Sequence, residues 1–348
     1  MTASEHPRMS DVARRAGVSL STVSRALRGV PGVAPEVRHR VEQAAMELSY
    51  VISRGASSLV TGRTGRIAVI APFLQPWFFG VAMAGIYSRL RSTGTDMVVY
   101  EVGDTTALSS YLRTLPLRRN VDAVIALSLR PADEELEHLR RLGVPVVFCS
   151  DEVDGFPSVF IDEAAAAADA TRHLLNLGHT RVAYVQARDD TGFSWHSRQR
   201  VVGCRKATAD AGLELVVVTA KTGIDGGALA AAELLSLSDP PTAIVTETDD
   251  LALGVLRTLE RSRLAVPGVM SVVGFDDQET AALFDLTTVA QPVYDLGAQA
   301  AQLALDVLDG TGRTDTHLQL PTHLVVRGTT AGPRPTSSLA GPSAGESS

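Results

Sequence analysis

The chain has 348 residues, 45% of them hydrophobic, a formal net charge of −7 and two cysteines, Cys149 and Cys204. Two cysteines are too few for a disulfide framework or a structural zinc site, and no apolar run approaches the roughly eighteen residues that a membrane-spanning helix needs. The opening "MTASEHPRMS" lacks the apolar core of a secretory signal, so the expected setting is the cytoplasm, with no membrane partner, and the length allows two or three domains.

Residues 1–8 read as disordered, and the first folded segment runs over 9–51. In "MSDVARRAGVSLSTVSRALRG", Met9 to Gly29, Ser10 is placed to cap a helix on which Val12, Ala13 and Ala16 recur at helical spacing until Gly17. Ser19 is placed to cap a second helix, with Val23, Ala26 and Leu27 inward and Leu20, Ser21, Thr22, Ser24 and Arg25 outside, closed by Gly29. Pro35 opens a third, whose Val37, Val41, Ala44, Ala45 and Leu48 lie on one side and would cover the first two. Two short helices about a glycine turn form a helix-turn-helix, which lays its second helix in the DNA major groove. On helical pattern alone, a plain three-helix knob fits equally well. Charge favours the first reading, although a charged, solvated helix surface gives the same imbalance by chance: residues 1–63 carry nine arginines against five acids, a net +4 that leaves −11 on the remainder. An acidic body repels DNA, so the basic head is the expected phosphate-binding surface.

"YVISRGASSLVTGRTGR", Tyr50 to Arg66, has the composition of a linker. Residues 56–60 have room for one or two helical turns presenting Leu59, a form used to wedge open the minor groove, although an exposed leucine in a linker usually signifies little.

From Arg66 the pattern changes to short β-branched runs: "RIAVIAP", "DMVVYEV", "VDAVIALS", "VPVVFCSD", "SVFID", "RVAYVQA", "LELVVVTA", "PTAIVTET" and "SVVGFDD". Helical stretches at 79–92, 164–177, 197–211, 227–235 and 251–261 alternate with them. Such alternation makes parallel sheets covered by helices on both faces, and its length favours two subdomains. Ligands in these sheets sit beyond the carboxyl ends of strands. Polar or aromatic groups recur there: Phe73, Gln75 and Trp77; Asp162; Thr248 and Asp249; Asp276 and Asp277; Gln291. A cleft for a small polar molecule is expected. The Gly/Pro/Ser-rich stretch 331–348 reads as a disordered tail.

Several of these stretches together, "DVARRAGVSLSTVSRAL", "RGASSLVTGRT", "NLGHTRVAYV", "SRQRVVG", "TDDLALGVL", "SVVGFDD" and "LTTVAQP", resemble the lactose-repressor (LacI/GalR) family, in order and over residues 9–330. The resemblance implies an α-helical helix-turn-helix head at 9–51, a hinge helix and linker at 52–65, and an α/β periplasmic-binding-protein-like core of two Rossmann-like subdomains at 66–330. The N-subdomain would take about 66–162 plus 292–320, and the C-subdomain about 163–291 plus 321–330. It further implies an effector-controlled, sequence-specific regulator, a repressor, whose affinity for double-stranded operator DNA is switched by a small sugar or related metabolite. A homodimer is expected, because one helix-turn-helix covers only a half-site.

Carried over residue by residue, the resemblance sets Leu20, Ser21 and Arg25 toward base edges, where an arginine suits the O6 and N7 of guanine. Ser19, Thr22 and Ser24 match phosphate-binding positions. Leu59 matches the hinge leucine that inserts into the operator, and Ala56 the small residue that lets two hinge helices approach. In the core, Arg200 and Asp276 match effector-binding residues, Thr248 stands where asparagine is common, and Gln291 matches a crossover residue near the ligand. Phe73, Trp77 and Phe78 offer an apolar platform or pack beneath the first core helix. Arg198 is a second ligand contact or a structural ion pair, and Asp249 is expected to cap its helix. The sequence departs from the family at Ala34 and Val37, which replace hydroxyl residues, at Ile52, where proline is common, and at Gly55, which weakens a hinge helix by ~1 kcal/mol relative to alanine.

Neither alternative function class fits as well. An exported sugar carrier has no use for a basic helix-turn-helix. Adjacent Asp276 and Asp277 cannot flank a glycosidic bond, and no nucleophile elbow, metal-ligand spacing or phosphate loop is present, so no catalytic residue, cofactor or metal is expected.

Overall fold

The computed structural model describes residues 7–27, 29–50, 63–114, 117, 119–188, 193 and 195–333. Met1–Arg66 with Arg119–Asp122 forms one unit, and Ile67–Arg118 with Ala123–Ser348 the other.

In the first unit, helix α1 (Met9–Ala16) starts from Arg8 rather than from Ser10. The Asp11 carboxylate reaches back to accept the Arg8 backbone N–H at 2.9 Å, so the longer acid at the third helical position fixes the start and Ser10 falls inside the helix. Gly17, at φ 65° in the left-handed region, ends α1. Helix α2 (Leu20–Leu27) follows, and Ser19 Oγ accepts the Thr22 N–H at 3.2 Å. Helix α3 (Pro35–Glu47) begins at its proline; Ala34 supplies no side-chain cap. Val12, Val23 and Val41 are fully buried among Ala13, Ala16, Ala26, Ala44 and Ala45, small side chains that let three short helices share one core. Arg15 pairs with Glu47 at 2.6 Å, and Arg40 Nε donates to the Ala16 carbonyl at the end of α1 at 3.1 Å, so part of the arginine excess holds the fold. The Asp122 carboxylate accepts the backbone N–H groups of Thr64 and Gly65 at 2.6 and 2.7 Å.

The second unit contains two six-stranded sheets. The first consists of β1 (Arg66–Ala71), β2 (Asp96–Glu101), β3 (Ala123–Leu127), β4 (Val146–Cys149), β5 (Ser158–Phe160) and β11 (His317–Gln319), in the order β11-β5-β4-β3-β1-β2. The second consists of β6 (Val182–Ala187), β7 (Leu215–Ala220), β8 (Ala243–Thr246), β9 (Ser271–Asp276), β10 (Thr287–Ala290) and β12 (His323–Val325), in the order β12-β10-β9-β8-β6-β7. Among the registered pairs only β10 with β12 is antiparallel. Strands β3, β8 and β9 are buried at every residue, and β3, "AVIAL", accordingly reads as an unbroken apolar run. Hydropathy misses β10, β11 and β12. Half of "TTVA" is threonine, and the other two are three-residue strands that only their neighbours define.

The helices of this unit are α4 (Trp77–Arg91), α5 (Thr105–Thr114), α6 (Asp133–Arg140), α7 (Glu163–Asn176), α8 (Trp195–Asp210), α9 (Ile224–Leu235), α10 (Asp249–Arg261), α11 (Glu279–Leu283) and α12 (Val293–Leu308). The five helices read from periodicity start one to three residues before the positions read, within the spread that helix ends ordinarily show. Helix α10 is a case in point: Thr248, not Asp249, is its cap, with the Thr248 hydroxyl accepting from the Leu251 N–H. Asp249 is fully buried in the first turn and accepts from the Thr288 hydroxyl at 2.6 Å and the Gln278 N–H at 2.8 Å. His179, buried in the "NLGHT" stretch, holds the carbonyl of Ala331 at 2.9 Å and the hydroxyl of Ser271 at 3.0 Å; burial lowers its pKa, so it acts as a neutral hydrogen-bonding strut.

Candidate functional sites

On the head, α2 presents the surface read from the sequence. Leu20 is 52% exposed, Ser19, Ser21 and Arg25 are exposed, and Thr22 and Ser24 are half-buried. Arg25 does not point freely outward, because its guanidinium donates to the Pro31 carbonyl at 2.9 Å. Ile52, Gly55, Ala56 and Leu59 lie outside the described residues.

In the core, the carboxyl ends of β1 and β2 and those of β6 and β8 contribute to one cavity of about 930 Å³. Phe73, Gln75, Pro76 and Glu101 line it from the first sheet, and Arg188, Phe193, Ser197, Glu247 and Asp250 from the second. Of the aromatic platform, Phe73 reaches the cavity. Phe78 and Trp77 pack against the core, Phe78 meeting Phe79 edge to face at 5.4 Å.

Arg200 is only 7% exposed and lies behind this lining. Its Nε donates to Glu163 at 2.7 Å, its Nη1 to the Glu247 carbonyl at 2.6 Å, and its plane covers Phe275 at 3.6 Å. Asp276, 6% exposed, accepts from Gln291 Nε2 at 2.7 Å and Gln278 Nε2 at 3.3 Å. Burial raises the Asp276 carboxyl well above the usual carboxylate range, against the pull of Arg200. Asp276 and Asp277 both have positive φ, 125° and 56°, a costly backbone for side-chain-bearing residues and one that clusters at binding sites. Asp277 is tied to Arg327 at 2.7 Å and so forms no carboxylate pair with its neighbour. Thr248 is used as a cap, and Arg198 is exposed on α8. Asp276 is thus joined to Gln291, and Arg200 to Glu163 and the Glu247 carbonyl, while none of Arg200, Asp276, Gln291, Thr248 and Arg198 is among the residues that line the cavity.

Four titratable groups packed at the cleft escaped the sequence reading: Asp151, Glu163, His196 and Glu247. His196 Nδ1 lies 3.1 Å from Glu163 Oε1, and its Nε2 3.4 Å from Asp151 Oδ2. Burial by itself depresses the imidazole pKa, but the two carboxylates outweigh it and push it up to about 10. Burial likewise opposes ionisation of Glu163, yet Arg200 and His196 hold it down at about 2. Glu247 accepts from the Ala187 N–H at 2.8 Å and the Ser197 hydroxyl at 2.6 Å, with burial raising its pKa. A signal was available: Asp151 lies two residues past the apolar run "VVFC", Glu247 directly follows "AIVT", and His196 precedes Arg200 by one helical turn. Among the described residues no group of His, Cys, Asp or Glu is arranged to hold a metal ion, and no helix is long and apolar enough to cross a membrane.

Residues 8–53 match the model of bacterial regulatory proteins of the lacI family, and residues 171–330 that of a periplasmic binding protein-like domain. Catabolite control protein A of Priestia megaterium is 30% identical over 327 residues, spanning 92% of this chain and 98% of that protein. The solved lac repressor dimer bound to operator and the anti-inducer ONPF aligns with a TM-score of 0.85 at 26% identity, over 94% of this chain and 100% of that one. The complex of the transcriptional regulator CelR with cellobiose aligns at 0.68 and 29% identity, over 93% and 99%. With its helix-turn-helix head and two-sheet core, the chain belongs to the lacI family of bacterial regulatory proteins and is an effector-controlled, DNA-binding transcription regulator.

Proposed function

We propose that this regulator is a repressor, acting in the cytoplasm as a homodimer on a pseudo-palindromic operator, and that a small sugar or related polyol in the cleft switches its affinity for DNA. The observation that carries the reading is the cavity lined from the strand ends of both sheets: a ligand held by Phe73 and Gln75 on one side and Arg188 and Ser197 on the other changes their relative angle if it prefers one arrangement. The N-terminal segment enters the core at β1, so such a change is passed along the chain to the hinge. Ser19, Thr22 and Ser24 fix the register on phosphates, and Leu20, Ser21 and Arg25 read bases. Ala56 and Leu59 pair across the dimer at the operator centre.

For the cleft, the lining supports Phe73 as a direct contact, and the role of Asp276 with Gln291, which hold each other, rests on the family resemblance. Arg200, behind the lining, holds the Glu163 carboxylate and the Glu247 backbone carbonyl in place. The domain limits are those of the family, with the head at 9–51, the hinge at 52–65 and the core at 66–330. The chain carries out no catalysis. A mobility shift on the DNA upstream of its own gene, with and without cellobiose or ribose, tests the reading; retention of the DNA at every sugar concentration would remove the effector assignment.

A further inference from the structure

A single carboxylate holds the last residues before the first core strand. Asp122 is half-buried at the end of the turn that precedes β3. Its Oδ1 accepts the Thr64 N–H at 2.6 Å and the Thr64 hydroxyl at 2.9 Å, and its Oδ2 accepts the Gly65 N–H at 2.7 Å. The Asp122 N–H donates to the Arg66 carbonyl at 2.7 Å, and the Thr64 hydroxyl oxygen accepts the Arg66 N–H at 3.2 Å. Successive backbone N–H groups in a turn form a concavity that holds an anion, and here the anion is the chain's own side chain. Gly65, at φ 69°, supplies the left-handed residue of that turn.

The sheet has no need of this clasp. Strands β1 and β3 pair in register from Ile67 with Ala123 to Ile70 with Ala126, and from those positions onward both are buried at every residue. The five hydrogen bonds fall just before the pairing starts. They fall on a turn, Arg119–Asp122, that belongs to the same unit as residues 1–66. Ordering a glycine-containing linker end costs conformational entropy that a plain tether keeps. The result is a joint with little play, continuous along the chain with β1 through Arg66 and with β3 through Ala123.

We propose that Asp122 is a positioning residue for operator recognition: by clamping Thr64 and Gly65 it fixes where the linker begins, and so limits the half-site separations that the two heads of a dimer can span. Association loses less freedom when the bound arrangement is already approached in the free protein. A slack joint leaves each head its grip on DNA but widens the range of separations it tolerates. The inference rests on the reading of a dimer on a two-half-site operator and adds to it the residue that sets its geometry.

The test uses the full-length chain and an operator that the wild type selects from a random duplex pool. Beside it stands the same duplex with about two base pairs inserted between the half-sites, which turns one of them by roughly a fifth of a helical turn. Asp122→Ala removes all three contacts to the carboxylate and should weaken binding to the selected operator by about 10-fold or more. Binding to unrelated duplex, which rests on phosphate contacts alone, should stay within about twofold. The ratio of affinities for the selected and the lengthened operator should fall toward one. Gly65→Ala has open space for its methyl and acts only through the left-handed backbone, so it should move that ratio in the same direction. The double variant should move it no further than the larger single change, since both undo one turn. A wild-type ratio in both single variants overturns the proposal. So does an equal loss on all three duplexes, which would make Asp122 a support of the fold alone. If the wild type selects no site with two half-sites, the operator reading falls first and this one with it. The Gly65→Ala ratio decides the matter if Asp122→Ala does not fold.

Discussion

Arg25, proposed above to read a base, is held by the head itself. Its guanidinium donates to the Pro31 carbonyl at 2.9 Å, and one nitrogen packs against Gly32, so reaching a guanine requires exchanging one charged hydrogen bond for two. Arg25→Ala should weaken operator binding by about 1–3 kcal/mol and relax preference at one base pair per half-site, measured on operators substituted position by position. Arg25→Lys keeps the charge but not the fork and should lose most of that preference too. A uniform loss on every sequence would show a phosphate contact instead. His196 is the residue-scale counterpart in the core. Its pKa is raised from the usual 6.5 to about 10, so the native state holds a proton that the unfolded chain releases. That stabilisation is complete below about pH 6.5 and fades as the pH rises through about 10. Thermal unfolding followed from pH 6.5 to 10 should therefore show a falling midpoint, and His196→Gln should flatten the fall; an unchanged slope in the variant would separate His196 from Asp151 and Glu163.

At the scale of elements, close helix crossings set the shape of the core. A methyl built on Gly85 of α4 would overlap the Tyr294 carbonyl of α12, and one on Gly297 of α12 would overlap the Ala82 carbonyl of α4. Gly203 of α8 stands in the same relation to Ala164 of α7, and Gly227 of α9 to Leu251 of α10. Backbone against backbone leaves no flexible neighbour to give way, unlike a crowded side chain. Gly85→Ala should therefore destabilise the chain by about 1–3 kcal/mol in urea unfolding, against the gain in helix propensity that the same change brings elsewhere. In the head, by contrast, three helices of 8, 8 and 13 residues meet through valine and alanine, and the arginine pairs at Arg15 and Arg40 tie α1 to α3.

For the whole molecule, the function requires that cleft and head share one equilibrium. Coupling of about 1–3 kcal/mol is typical of such linkage and corresponds to a 5- to 150-fold change in operator affinity on saturation with the effector. Linkage also demands the reverse: operator DNA must change sugar affinity by the same factor, and calorimetry with and without a half-site pair measures it. Sedimentation of the full chain should give a dimer. A stable tetramer that survives removal of residues 331–348 would contradict the assembly proposed here.

The sequence by itself determined the alternation of strand and helix, the helix-turn-helix and the family, because each depends on local periodicity, on turn residues and on motifs a few residues long. Cys149 and Cys204 are buried free thiols whose pKa values burial raises. Starts of helices were less legible. Ser10 and Asp249 are sound cap residues by type, but Asp11 and Thr248 have the geometry, and the Asp249 carboxylate is instead taken up by Thr288 and Gln278 from other elements. The strand β10 needed β9 and β12 beside it to exist as a strand. What tertiary structure alone decided is the wiring of the cleft. Arg200 meets Glu163 across 37 positions, and Asp276 meets Gln291 across 15. A hydrogen bond between side chains that distant leaves no periodic trace in the chain, because its partners are brought together by the packing of whole sheets rather than by the spacing of residues along one element.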